Sequence, residues 1–104
     1  MPKFIFAYHG GGKPETPEEG QAVMAKWMAW YESMGPALAD GGAPVGMSKT
    51  VTANGVEDNG GSNPLSGFTM VTADNMDAAL ELAKGCPIIG NNNGTVEVAE
   101  CIEM

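Results

Sequence analysis

The segment Lys3-Phe4-Ile5-Phe6-Ala7-Tyr8 constrains this chain more than any other. Alternation puts Phe4, Phe6 and Tyr8 on one face of a strand and Ile5 and Ala7 on the other, so both faces are apolar. A half-exposed strand would alternate with polar residues, so this one has to be covered on both sides. With 104 residues the chain is read as a single domain spanning 1–104. Such a domain buries roughly two-thirds of its unfolded surface, enough for one modest core.

The remaining elements follow from local signals. His9-Gly10-Gly11-Gly12-Lys13-Pro14 is a loop, and Thr16-Pro17-Glu18-Glu19 is a capping box that opens a helix. Val23, Trp27, Trp30, Met34 and Leu38 then recur at spacings of three and four as its core stripe, widened by Met24 and Tyr31. Gly35-Pro36 predicts a kink or a fresh turn before Asp40-Gly41-Gly42 ends the helix. Pro44 to Ala53 reads as the second strand, and Asn54-Gly55 signals a hairpin that folds Val56-Glu57 back on it. A polar glycine-rich loop runs from Asp58 to Pro64, and Ser66 to Thr72 is the third strand. Asp74 is the expected cap of a second helix that buries Met76, Ala79, Leu80 and Ala83 and stops at Lys84-Gly85 before Pro87. A turn at Asn91 to Gly94 leads into a last strand, Thr95 to Met104.

Strand, helix, strand, strand, helix, strand is the order of the ferredoxin-like βαββαβ fold, an α+β class with a four-stranded antiparallel sheet and both helices on one face. The other face is then left without a cover in the chain. A second copy of the same sheet supplies it most simply, so a homodimer is expected.

Charge narrows the partners. Thirteen acidic residues against five basic ones give a formal net charge of -8, and all five cations are lysines. Without guanidinium groups, and with so few cations to release counterions, nucleic-acid binding is not expected. The apolar runs are too short to span a bilayer and the start lacks a secretory pattern, so the expectation is a cytoplasmic protein with no membrane contact. Cys86 and Cys101 are the only thiols and His9 the only histidine, which falls short of a closed zinc site; neither metal nor cofactor is expected, and the thiols are read as reduced. His9-Gly10-Gly11-Gly12 spells an esterase oxyanion loop, but the chain has no Gly-x-Ser-x-Gly elbow to accompany it.

The whole chain resembles the YCII-related proteins. The marks are the aromatic first strand ending Tyr8-His9-Gly10, the tryptophan-bearing helix leading to Leu38-Ala39-Asp40-Gly41-Gly42, and Ser66-Gly67-Phe68. Asp77-Ala78-Ala79, Ala83-Lys84-Gly85-Cys86-Pro87 and the closing Gly94-Thr95-Val96-Glu97-Val98 complete them. The resemblance implies a dimeric α+β barrel. It also implies a histidine-aspartate pair for acid/base chemistry in some members, one of which eliminates chloride from a chlorinated hydroxyquinone. In those members the histidine lies on the first helix, where this chain has Lys26, Trp27 and Trp30 and no histidine; Asp40 matches the aspartate approximately.

His9 is the one side chain whose ordinary pKa lies near neutrality, which makes it the first candidate for proton transfer. Asp40, beside Gly41-Gly42, is the candidate partner that would orient the imidazole. Each has a plainer role available, a hydrogen-bonded histidine and a turn aspartate. Tyr8, Trp30, Lys49 and Ser66 are the candidate ligand-binding residues, at a cleft between helix and sheet or at the dimer rim. Two functions are therefore open. One is binding of a small aromatic or keto-acid-like molecule, with histidine-based acid/base chemistry. The alternative is a non-catalytic dimeric binding or structural module.

Overall fold

The computed structural model describes residues 2–10, 16–58, 61, 64–90 and 94–102. The glycine run after Gly10 with Lys13 and Glu15, part of the Asp58 to Pro64 loop, the Asn91 to Asn93 turn, and Glu103 and Met104 of the expected last strand lie outside the described residues. Strand β1 (Lys3–His9) has the expected alternation: Phe4 and Phe6 are fully buried and Tyr8 almost so, while Ile5, Ala7 and His9 are half-buried on the opposite face. Helix α1 (Pro17–Met34) begins where the capping box predicts. Thr16 Oγ1 accepts from the Glu19 amide at 3.1 Å, and Pro17, with no N–H to satisfy, takes the first turn. Its C-cap is Gly35 at φ 54°, whose amide donates back to the Tyr31 and Glu32 carbonyls.

Here the structure corrects the sequence expectation. The helix does not continue to Asp40. A single 3-10 turn at Gly35–Ala37 gives way to strand β2 (Leu38–Pro44), so the second sheet strand precedes Pro44. The apolar spacing runs on from Met34 to Leu38, but left-handed Gly35 and the missing N–H of Pro36 stop the helix. Leu38 then enters the sheet opposite Val71, which lies on the helix-covered face, so one apolar position suits either geometry. The strand itself has little β propensity and twice slips register against its partner, between Leu38 and Asp40 and between Asp40 and Ala43. Gly42 makes the second slip feasible. Its φ is 68°, and a Cβ there would stand 1.8 Å from the Phe68 carbonyl oxygen.

The Pro44 to Ala53 region instead leads to a separate two-stranded hairpin, β3 (Thr50–Thr52) and β4 (Gly55–Glu57), joined by the expected Asn54-Gly55 turn. Lys49 and Asp58 clasp its base at 3.1 Å. Strand β5 (Leu65–Thr72), helix α2 (Met76–Lys84), the single-turn α3 (Pro87–Gly90) and β6 (Thr95–Glu100) follow. The cap of α2 is Asn75, one residue later than expected, because Asn75 Oδ1 accepts from the Ala78 amide at 2.8 Å. The packed face also differs from the expectation: Ala79 and Ala83 are buried as expected and Ala78 and Leu82 pack beside them, but Met76 and Leu80 are exposed.

The sheet order is β2-β5-β1-β6, with every neighbouring pair antiparallel. This is the α+β, ferredoxin-like arrangement. The core is one cluster in which Trp30 and Met34 of α1 and Ala79 and Ala83 of α2 meet Phe4, Phe6, Tyr8 and Val71 of the sheet. On the other sheet face Ile5, Ala7, Phe68, Met70 and Thr72 are half-buried, and among the described residues no helix lies over them. Glu97 and Glu100 of β6 reach solvent, as the net charge requires.

Gly42 and Gly41 separate backbone conformation from composition. Gly42→Ala should lower the unfolding free energy by at least about 2 kcal/mol, from positive φ and a backbone clash together. Gly41, where an added Cβ meets nothing within 4 Å, should tolerate the same change within about 1 kcal/mol. Urea unfolding of the two variants compares them directly.

Candidate functional site

The tryptophan helix packs tightly only along its second half. Trp30 and Met34 are buried, whereas Val23 is half-buried and Met24 is 62 % exposed. Beneath this looser first half lies a cavity of about 410 Å³, closed on the sheet side by Tyr8, Ala43, Pro44 and Ser66 to Phe68, and at one end by Ile88. That volume is within the range of small-molecule pockets. Gly67 keeps the floor low: a Cβ there would meet the Ala43 carbonyl at 3.1 Å and the Tyr8 ring at 3.3 Å.

Aromatic rings form the wall. Tyr8 meets Trp27 edge-on at 5.2 Å, and Trp27 meets Tyr31 at 6.0 Å. Trp30 stands behind them, stacked on Phe6 at 6.1 Å, with its indole N–H donating to the Leu82 carbonyl at 3.0 Å. It anchors the helix to α2 and is not among the cavity-lining residues.

A short polar chain runs under the wall. Tyr8 Oη donates to Thr69 Oγ1 at 2.6 Å, and Thr69, fully buried, donates to the Gly41 carbonyl at 3.2 Å. Tyr31 Oη donates to the same carbonyl at 3.3 Å. These bonds tie β1, β5, β2 and α1 together with every hydroxyl satisfied. Burial holds the Tyr8 phenol well above its usual range, and the bond to Thr69 offsets only part of that. Burial likewise pushes the neighbouring Cys86 thiol up to about 11. Ser66 differs: its Oγ is buried and has no hydrogen-bond partner among the described residues.

The candidates named from the sequence divide between separate regions. Tyr8 and Ser66 line the cavity. Lys49 sits on the hairpin base, paired with Asp58. His9 belongs to the uncovered sheet face with Ile5 and Ala7, where Nε2 lies 3.0 Å from the Glu97 carboxylate and Nδ1 lies 3.3 Å from the Pro64 carbonyl. Both neighbours are acceptors, so a neutral ring can donate to only one of them. Asp40 Oδ1 accepts from the Gly42 amide at 2.9 Å, bracing the slip in β2. His9 is opposite Leu65 on β5 and Asp40 is opposite Met70, on two different flanking strands. Strand spacings of ~3.3 Å along the chain and ~4.8 Å across it hold the two well beyond hydrogen-bond reach within one chain.

Thr69 and Ile88 contribute to the cavity and its support without a sequence signal for binding, whereas Trp27 and Tyr31, with Trp30, read from the sequence either as an aromatic pocket wall between helix and sheet or as plain core. Trp27 and Tyr31 fall one turn apart on the helix face that begins at Val23, which equally describes a core stripe. Only the poorer burial of the first half of α1 and the cavity beside it distinguish the two. Glu97 as the partner of His9 depends on the β1 and β6 register, which pairs His9 with Thr95 and Ala7 with Glu97.

Among the described residues no three histidine, cysteine or carboxylate groups converge as a metal site, and no helix is long and apolar enough to cross a membrane. A ferredoxin-like sheet with one helical layer and an aromatic cleft between layer and sheet defines a class of small α+β domains. Within that class the chain belongs to the YCII-related domain family, which matches residues 4–104. No curated protein matches it.

The buried phenol and thiol make stability depend on alkaline pH. Both have raised pKa values, so the native state holds these protons more tightly than the unfolded chain. Their contribution is complete below pH 9.0 and falls as pH rises toward about 11. Unfolding free energy measured by urea titration should decline across that interval, and Cys86→Ala should flatten the decline whatever it does to stability at neutral pH.

Proposed function

We propose that this protein binds a small aromatic or keto-acid-like molecule in the cavity between α1 and the sheet. One observation carries the reading: a cavity of about 410 Å³ is walled by Tyr8, Trp27 and Tyr31 and closed below by a fully bonded polar chain. Rings presented edge and face to an open volume suit a planar guest. A thermal-shift screen of small aromatic and keto acids, followed by titration of tryptophan fluorescence, tests it. Val23→Trp, which fills the cavity from an accessible helix position, should abolish the shift of any hit while leaving the unliganded midpoint within a few degrees. A hit that survives Val23→Trp unchanged would place binding elsewhere.

The second part of the proposal is the homodimer. It is supported by the half-buried apolar face formed by Ile5, Ala7, Phe68 and Met70, which a second copy of the sheet would cover. Light scattering at micromolar concentration should give twice the chain mass of 10.8 kDa, and Ile5→Lys should return it to a monomer. A monomeric wild type would sink this part.

Acid/base chemistry is assigned to His9 acting with Glu97, whose carboxylate orients the imidazole, and not to contact with Asp40 inside one chain. His9 is outside the cavity lining. That separation favours the other reading, a non-catalytic dimeric module, wherever a ligand binds without being altered. The free thiols Cys86 and Cys101 are in keeping with a reducing, cytoplasmic setting.

A further inference from the structure

We infer that the hairpin of β3 and β4 is an arm that grips a second copy of this chain; the inference rests on the homodimer proposed above and adds to it a contact outside the sheet face. A two-stranded hairpin is at best marginally stable alone in water and needs a surface to pack on. Among the described residues it finds none in its own chain. Both strands are exposed throughout except at half-buried Thr50. Val51 and Val56 stand opposite each other on one face of the hairpin, 78 % and 63 % exposed, and Met47 ahead of them is fully exposed.

The shape of the chain shows where the arm points. Its thinnest direction is 18 Å, room for the sheet and one layer of helices, so the hairpin lies over neither. The other two directions each reach 43 Å, although the longest helix, of 18 residues, spans only ~27 Å. The radius of gyration is 14.8 Å, against about 13 Å for a compact domain of this length. The hairpin leaves from the end of β2 and returns to the start of β5, neighbouring strands, and so projects beyond the end of the sheet close to its plane. A second copy laid on the uncovered face of Ile5, Ala7, Phe68 and Met70 would lie beside that projection, and two-fold symmetry would give each copy the other's arm.

Charge fits the same partner. The stretch from Val45 to Val56 contains one charged residue, Lys49, while all 13 acidic residues lie outside it. Lys49 is engaged by Asp58 at the hairpin base, so the arm offers an uncharged apolar face in an otherwise acidic molecule. Two acidic bodies repel each other; this is a part that each can bring to the other without meeting like charge.

Lys49 also provides the test, because it is the only basic residue between Lys26 and Lys84 and a tryptic cut after it reports on the arm. Cleavage of the full chain is followed by mass spectrometry at concentrations below and above its dimer dissociation constant, alongside Ile5→Lys and the double variant Val51→Asp with Val56→Asp. Cutting after Lys49 should slow at least about tenfold as the wild type dimerises, and Ile5→Lys should be cut at the fast rate throughout. The double variant should weaken the dimer at least about tenfold, with a melting midpoint within a few degrees of the wild type's where both are monomeric. If the wild type dimerises but Lys49 is cut at one fast rate and the double variant dimerises equally well, the arm is overturned and the sheet-face dimer stands. Slow cutting at every concentration, in Ile5→Lys as in the wild type, would mean that the hairpin docks on its own chain and would overturn it too. A wild type that stays monomeric removes the dimer reading and this inference together.

Discussion

Phe4, Phe6 and Tyr8 put three aromatic rings in a row on the strand at the middle of the sheet, flanked by β5 and β6. Trp30 stacks on the middle ring and ties itself to α2 through the Leu82 carbonyl, so one indole locks both helices to one strand. Burying large aromatic side chains stabilises by roughly 2 to 3 kcal/mol each, which in a domain of this size is a large share of the net stability. The layer of helices, the order of the strands and the cleft beside Tyr8 all take their positions from that row.

The cavity is a consequence of where this packing stops. Toward its C-terminal half α1 presents Trp30 and Met34 to the core, but one and two turns earlier it presents Trp27 and Val23 above a strand position occupied by Gly67. Large residues above and a glycine below leave volume between them. The Tyr8–Thr69–Gly41 chain keeps that floor polar yet saturated, so the cleft is firm without offering many groups to a guest.

Much of this was legible in the residues. The double-faced first strand, the Thr16 cap, the Asn54-Gly55 turn, the third strand and the Lys84-Gly85 stop each carry a local signal strong enough to locate an element, and their order carries the fold. What escaped was β2. Its residues, Leu38-Ala39-Asp40-Gly41-Gly42-Ala43-Pro44, have neither β-branched side chains nor strict alternation, and their place in the sheet is decided by Phe68 across the strand pair, a long-range fact. The cap at Asn75 instead of Asp74 is a choice between adjacent residues of similar propensity, settled only by which side chain reaches Ala78. For the site, residue type singled out Tyr8 and Ser66 at the cleft and the local turn role of Asp40 beside Gly41-Gly42, whereas the Glu97 neighbour of His9 depended on the register of β1 against β6, which local sequence does not encode.

The slip at Gly42 also bears on how the sheet ends. β2 and β6 are its two edges, and each presents unpaired backbone groups to which a foreign strand could add. On the β2 side the irregular register and the terminal Pro44 break the ladder that an incoming strand would need, a defence built from shape. On the β6 side the ladder is regular and the guard is the exposed pair Glu97 and Glu100, a defence built from charge. The same sheet therefore resists stray pairing at one border whatever the solvent, and at the other only while carboxylates stay ionised and salt does not screen them.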